Sequence, residues 1–217
     1  MSYKAVLFDL DGTLLDTLED LGSVMNRVLT RKGYPTHKLD NYRYLVGDGA
    51  TTLIKRALPE EKRNDNIIRS CLEAFLKDYD QNWNVKTKPY NGITEMLDTL
   101  TACGMKMAVL SNKPHEFTNR CVTHFLPSWN FDMVLGQCDE FPSKPDPAGA
   151  LKVAECLNLS PSDFLYLGDT AVDMKTSIAA GMFPVGVLWG FRSAKELREN
   201  GAQVLIKKPL EILNLLD

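Results

Sequence analysis

Residues 4–17 read Lys4-Ala-Val-Leu-Phe-Asp9-Leu-Asp11-Gly12-Thr13-Leu-Leu-Asp16-Thr17, and the reading of this stretch decides the fold. The apolar run Ala5 to Phe8 is short and stops at a turn signal, as a buried strand does. Strands apolar on both faces belong to parallel sheets covered on both sides. In open sheets of that kind, ligands bind beyond the carboxyl ends of the strands. Asp9 and Asp11 fall there. Positions two apart on a strand share a face, so the two carboxylates converge if the extended geometry persists to Gly12. Taken alone, Asp-x-Asp-Gly is equally well explained as a turn leaving a strand. An EF-hand loop is excluded, because the positions that must hold Gly and Glu hold Leu14 and Asp20.

The chain has 217 residues, 44% of them hydrophobic and 24% charged, enough for one or two domains with a real core. Its net charge of −3, without a long basic run, argues against nucleic acid and anionic membranes as partners. The opening strand starts almost at residue 1, with no apolar region of the signal-peptide kind. No stretch approaches the roughly 20 apolar residues of a membrane span. Cys71, Cys103, Cys121, Cys138 and Cys156 are scattered and form no Cys-x-x-Cys, so they read as reduced thiols of a cytoplasmic protein.

Downstream, Asp16-x-x-Glu19 has the form of a capping box with Asp16 as N-cap. Leu18, Leu21, Met25, Val28 and Leu29 form a helical stripe that ends near Gly33. A polar stretch, a turn at Val46–Gly49 and a short helix through Leu53 and Leu58 follow. Ile67, Ile68, Cys71, Leu72, Phe75, Leu76 and Tyr79 make the clearest helical stripe in the chain. Residues 16–85 therefore read as all-helical. A parallel sheet should resume after one helix, so this stretch is expected to be an inserted helical domain. Beyond it strand and helix alternate. Strands are expected at Met107–Leu110, Phe131–Leu135, Phe164–Leu167, Pro184–Leu188 and Val204–Ile206. Between them lie helices over Ile93–Leu100, Phe117–Phe125, Asp146 to Leu157 (Asp146 as N-cap), Asp173–Gly181 and Ala194–Asn200, with a last helix over Leu210–Leu216. This is the pattern of an α/β fold with a doubly wound parallel sheet.

The strand ends then carry Asp9 and Asp11, Ser111 and Asn112, Lys144 in the loop after the third strand, and Asp169 and Asp173. Singly, each has an ordinary explanation. Ser111 would cap a helix, Lys144 would sit in solvent and Asp173 would be a first-turn helix charge. Together they suit phosphoryl transfer. Carboxylates gathered around a phosphate repel it, by about 4 kcal/mol per pair at 4 Å and an effective dielectric of 20. Such a site needs cations, and one Mg²⁺ with Lys144 supplies them. The Ser111 hydroxyl and helix N-terminal N–H groups can hold the phosphate oxygens. Asp9 can attack phosphorus, and Asp11 can protonate the leaving oxygen and later activate water.

These motifs resemble the haloacid dehalogenase superfamily in its phosphatase branch. Four signatures match in order: Asp9-Leu-Asp11-Gly12-Thr13; a hydrophobic strand ending in Ser111; Lys144 with Pro145 and Pro147; and Gly168-Asp169-x-x-x-Asp173. The resemblance implies a Rossmann-like core over 1–15 and 86–217 and a helical first-position cap over 16–85. It implies that Asp9 is nucleophile and Mg²⁺ ligand. Asp11 would be the acid/base and give its carbonyl to the metal. Thr13 would support the loop or contact substrate, Ser111 and Lys144 would bind the phosphoryl group, and Asp169 and Asp173 would hold the ion. Val46–Ala50, Lys55–Leu58, Ser111–Pro114, Trp189–Phe191 and Gly201–Ala202 are further similar to bacterial phosphoglycolate phosphatases. That likeness implies a small phosphate monoester as substrate and a monomer or homodimer. Asn112, Lys113 and Arg56 are candidates to meet the substrate, the two cations through a carboxylate. Pyrophosphatase and the β-phosphoglucomutase type are the alternatives. The mutase type typically adds a cap histidine after the first motif, and Asp16–Asp20 holds none. His37, His115 and His124 show no metal-ligand spacing.

Overall fold

In a computed structural model, which describes residues 3–216, Ala5–Phe8 forms strand β1 and every side chain in it is buried. The alternation of strand side chains explains why. Val6 and Phe8 point into one apolar layer, and Ala5 and Leu7 into another. The neighbouring strands divide in the same way. In β4 (Lys106–Pro114), Met107 and Val109 join the first layer while Ala108 and Leu110 join the second. In β6 (Phe164–Gly168), Leu165 and Leu167 oppose Phe164 and Tyr166.

With β5 (Met133–Gln137), β7 (Phe183–Val187) and β8 (Val204–Ile206), these strands form a six-stranded sheet in the order β5-β4-β1-β6-β7-β8. Every pairing is parallel. The expected doubly wound sheet is present. On one face lie α4 (Ile93–Ala102), α5 (His115–Phe125) and a final 3-10 helix, Pro209–Leu215; on the other lies α6 (Ala148–Cys156), with Ala180 of α7 (Ala171–Ala180). Because β1 pairs β4 on one side and β6 on the other, the chain changes direction across the sheet at β1. The C-terminal ends of these three strands therefore share one crevice, where such folds bind ligands.

Between β2 (Leu15–Asp16) and β3 (Lys88–Pro89) all regular structure is helical: α1 (Leu18–Arg31), α2 (Ala50–Ala57), α3 (Asp65–Asn82) and two 3-10 turns. The apolar stripes that α1 and α3 show in sequence join the first layer of the sheet, through Val24, Met25, Val28, Cys71, Phe75 and Tyr79. β2 and β3 pair antiparallel, Leu15 with Pro89 and Asp16 with Lys88, so the chain leaves and re-enters the sheet region through one short ribbon. The buried Asp20 carboxylate fastens this crossing by accepting from the Lys86 and Thr87 N–H groups and the Thr87 hydroxyl.

Several local expectations are corrected. Asp16 does not cap α1; it is paired in the ribbon, and Thr17 occupies the cap position without a side-chain bond. The polar stretch expected over Tyr34–Asp40 runs at its end into a 3-10 helix, Leu39–Tyr44, because Tyr42 is drawn in over Gly22 and donates its hydroxyl to Asn26 Oδ1. Asp146 stands one residue outside its expected place. Pro147 takes the cap position, and Asp146 Oδ1 accepts from Ala148 N at 2.8 Å. β4 runs on past an irregularity after Leu110 to Pro114, which buries Ser111, Asn112 and Lys113. β5 starts later than Phe131, and the last helix is of 3-10 type.

Candidate active site

Asp9, directly after β1, is 6% exposed. Its Oδ1 accepts from Lys144 Nζ at 2.8 Å, and its other oxygen has no hydrogen-bond partner among the described residues. Lys144 also donates to Asp173 Oδ1 at 2.7 Å and to the Leu110 carbonyl. The remaining oxygen of Asp173 accepts from the N–H and hydroxyl of Thr170, closing a capping box at the start of α7. Asp173 is thus fully occupied in holding Lys144 and the helix start. Asp169, beyond β6, accepts from Thr13 Oγ1 at 3.2 Å and from Phe191 N at 2.7 Å. Gly12 has φ +93°, and a Cβ there would collide with the Asp169 carboxylate. Only glycine lets the first loop lie against the third carboxylate.

Carboxylate oxygens of Asp9, Asp169 and Asp173 lie within 4.8 Å of one another, all buried. Among the described residues, Lys144 is the one cation in direct contact with them, so negative charge is left over. Burial, with Asp173 beside it, pushes the Asp9 carboxyl up to about 7. Burial and the charges of Asp173 and Asp9 raise Asp169 well above the usual carboxylate range. Burial would discharge Lys144, but Asp173 and Asp9 outweigh it and keep the ammonium protonated. A hard divalent cation suits this oxygen-rich, under-compensated cluster.

Asp11 lies outside the cluster. Both of its oxygens accept from Lys113 Nζ, at 2.9 and 3.0 Å. Lys113 is buried and sits 4.9 Å from the ring centroid of Tyr79, on α3. These groups border a cavity of about 50 Å³. Its floor carries Asp9, Asp11, Ser111, Asn112 and Lys113; its roof carries Leu21, Leu53, Phe75, Leu76 and Tyr79. On this measure one water needs roughly 10–15 Å³, so the space suits a ligand of few atoms.

Residues 6–187 match the family profile of the haloacid dehalogenase-like hydrolases. The chain belongs to this family. It is 31% identical to a phosphoglycolate phosphatase of Aquifex aeolicus, over 99% of this chain and 97% of the relative. It is 32% identical to a phosphoglycolate phosphatase of Psychrobacter arcticus, over 92% and 89%. Among solved structures, a protein from Lactobacillus delbrueckii subsp. bulgaricus superposes with a TM-score of 0.93 at 28% identity, covering 100% of this chain and 99% of that one. One from Bacteroides fragilis gives 0.90 at 26%, over 97% and 99%. The expected enzyme class, a phosphoric monoester hydrolase, stands.

Within this haloacid dehalogenase-like hydrolase, the structure gathers Asp9, Asp11, Ser111, Asn112, Lys113, Lys144, Asp169 and Asp173 at the crevice. Ser111 Oγ accepts from Lys113 N at 3.2 Å, which leaves its own proton free to donate. Asn112 is a brace: its Oδ1 accepts from Lys144 N, and its Nδ2 donates to the carbonyls of Lys144 and Gly47. Thr13 does not border the cavity; it supports Asp169. Arg56 is not brought to the cavity either, being paired with Asp48 and 40% exposed along its side chain. Nothing in the sequence points to Tyr79 as a site residue, since it reads as part of an apolar stripe. Among the described residues, no histidine borders the cavity. His37 bonds the Ala57 carbonyl, His115 the Gly136 N–H, and His124 packs on Trp83.

Proposed function

We propose that this hydrolase is a Mg²⁺-dependent phosphatase for a small phosphate monoester, with 2-phosphoglycolate the best candidate, acting through an aspartyl-phosphate on Asp9. The observation that carries this reading is the buried Asp9–Lys144–Asp173 chain beside Asp169, with Asp9 at the floor of a small cavity under the helical segment. Asp9 and Asp169, with the backbone carbonyl of Asp11, would hold the ion; Asp173 contributes mainly by fixing Lys144. When bound, the ion supplies positive charge that lets a phosphate dianion enter the acidic cluster.

The protein's own groups do the rest. Lys144 and the Ser111 hydroxyl hold phosphoryl oxygens, and the unpartnered oxygen of Asp9 attacks phosphorus. Asp11 protonates the departing oxygen, then takes a proton from the water that hydrolyses the acyl phosphate. Among the described residues, Lys113 is the only cation bordering the cavity. It answers the carboxylate of a substrate such as phosphoglycolate, and that exchange releases Asp11 from the ion pair for proton transfer.

Residues 16–85 act in this reading as a cap over a core of 1–15 and 86–217, swinging on the β2–β3 ribbon to exclude water. The relatives' substrate, the cavity's size and the absence of a bordering histidine favour a small ester over a sugar phosphomutase. The unpaired cysteines fit a cytoplasmic setting, and no described helix is long and apolar enough to cross a membrane. The test is a panel of phosphate esters and pyrophosphate assayed with and without Mg²⁺ for phosphate release. A two- or three-carbon carboxylate ester should have the highest kcat/KM. A preferred hexose phosphate, isomerised without phosphate release, would sink the proposal.

A further inference from the structure

The loop Trp189–Arg192, which follows β7, touches the acidic cluster and the helical segment at once. On the cluster side, Trp189 Nε1 donates to the Thr13 carbonyl at 2.9 Å, and Phe191 N donates to Asp169 Oδ2 at 2.7 Å. Gly190 lies so close to Asp169 and the Gly12 carbonyl that a Cβ would collide with both. On the other side, Arg43 Nη1 donates to the Gly190 carbonyl at 3.1 Å, and Arg192 Nη2 donates to the Val46 carbonyl at 2.9 Å. The Arg192 guanidinium also lies 5.6 Å from the ring centroid of Tyr44.

We propose that Arg43 and Arg192 form a reciprocal clasp between residues 42–49 and loop 189–192, and that they act as positioning residues for Asp169. One arginine reaches from the helical segment to the core and the other from the core to the helical segment. Each donates from a charged guanidinium to a carbonyl, the stronger class of hydrogen bond. Arg192 is only 8% exposed along its side chain, and Glu196 steadies its Nε at 3.2 Å. The same few backbone atoms serve both sides: the carbonyl Arg43 holds belongs to Gly190, and the next N–H holds Asp169. When the segment is seated, the loop is fixed and Asp169 is aimed at the ion. When the segment swings away, both bonds break and Asp169 loses that restraint. Seating of the helical segment and cation affinity are therefore linked. This inference rests on the reading of Asp169 as a metal-holding carboxylate in the proposed phosphatase.

The decisive variant is R43Q. Arg43 is partly exposed, lies on a 3-10 turn and, among the described residues, bonds the Gly190 carbonyl and not the acidic cluster. Mn²⁺ binding to the substrate-free protein, titrated by electron paramagnetic resonance, should weaken about tenfold in R43Q and in R192Q, the scale of one charge-assisted hydrogen bond. In the double variant the loss should fall well short of the product of the two, because one clasp is being broken. R192K, which keeps the charge, should recover part of the affinity. Mn²⁺ affinity within twofold of the parent in folded R43Q would overturn the clasp, whatever happens to turnover. Weakened Mn²⁺ binding in a protein that hydrolyses no ester would leave the clasp standing and remove the phosphatase reading instead.

Discussion

The floor and the roof of the cavity are built on different physics. The floor comes from strand ends, and its side chains are held by directional bonds: Lys144 to Asp9, Lys113 to Asp11, and Asn112 to the Lys144 and Gly47 carbonyls, with Asp173 and Asp169 bonded behind them. The roof comes from α1, α2 and α3, and Leu21, Leu53, Phe75 and Leu76 offer only shape and dispersion. Buried polar networks resist partial disruption, because an unpaired member keeps its full desolvation cost. Apolar walls tolerate change of side chain at modest cost when volume is kept. The floor is therefore suited to a fixed chemistry, and the roof to choosing what receives it.

The widest gap between the two is expected at Asp9. D9N should lower kcat by about 10⁴-fold or more while far-ultraviolet circular dichroism stays native, since the proposed mechanism has no substitute for its nucleophile. Persistent Mg²⁺-dependent hydrolysis of p-nitrophenyl phosphate in D9N would break the assignment of the chemistry to the floor. D11N should cost roughly 10²–10⁴-fold through loss of acid/base catalysis, with phosphoenzyme accumulating in rapid-quench experiments; unchanged steady-state rates would remove Asp11 from that role. K113M stands at the seam. For a carboxylate-bearing ester, kcat/KM should fall about 10²-fold, whereas for p-nitrophenyl phosphate, which has no carboxylate, the fall should be much smaller. Equal losses on both would show that Lys113 serves only Asp11.

On the roof, L76A should change the preference between a two-carbon and a bulkier ester by about tenfold, the scale of a few methylenes in an apolar pocket, with little effect on catalysis of the better substrate. The smallest effect on activity is expected away from the cavity, at Asp78 on α3. Burial pushes its carboxyl up, but hydrogen bonds from Arg27 and Arg31 outweigh that and hold it below the usual range. A depressed folded pKa gives stability that is complete above the unfolded value of about 4 and is lost as pH falls through the folded one. D78N should cost about 2 kcal/mol at pH 7 in urea unfolding, and its deficit against the parent should vanish in acid. A deficit that persists at low pH would mean packing, not charge, holds α1 to α3.

Much of the floor is legible in the sequence, and for a physical reason. In a doubly wound sheet the strand ends must meet, so residues at strand ends can be assigned to one crevice from the chain alone. Asp9, Ser111, Lys144 and Asp169 are cases of that rule. Asp16 shows where it stops. Its spacing to Glu19 imitates a helix cap, but pairing with Lys88 in a ribbon distant in sequence takes precedence. Arg56 shows the same limit, because its bond to Asp48 depends on how the 45–49 loop folds back. Tyr79 was hidden, since packing against a core and facing a ligand both ask for an aromatic residue at helical spacing.

By itself, then, the sequence determined the parallel sheet, the helical insertion and the chemical type of each strand end, because apolar periodicity and turn residues are local properties of the chain. The tertiary structure decided who holds whom. It set Asp173 on Lys144 rather than leaving it open, paired Lys113 with Asp11, and brought Arg43 and Arg192 to either side of one loop. Those partnerships join residues far apart in the chain, and only the packing of the helical segment over the sheet fixes them.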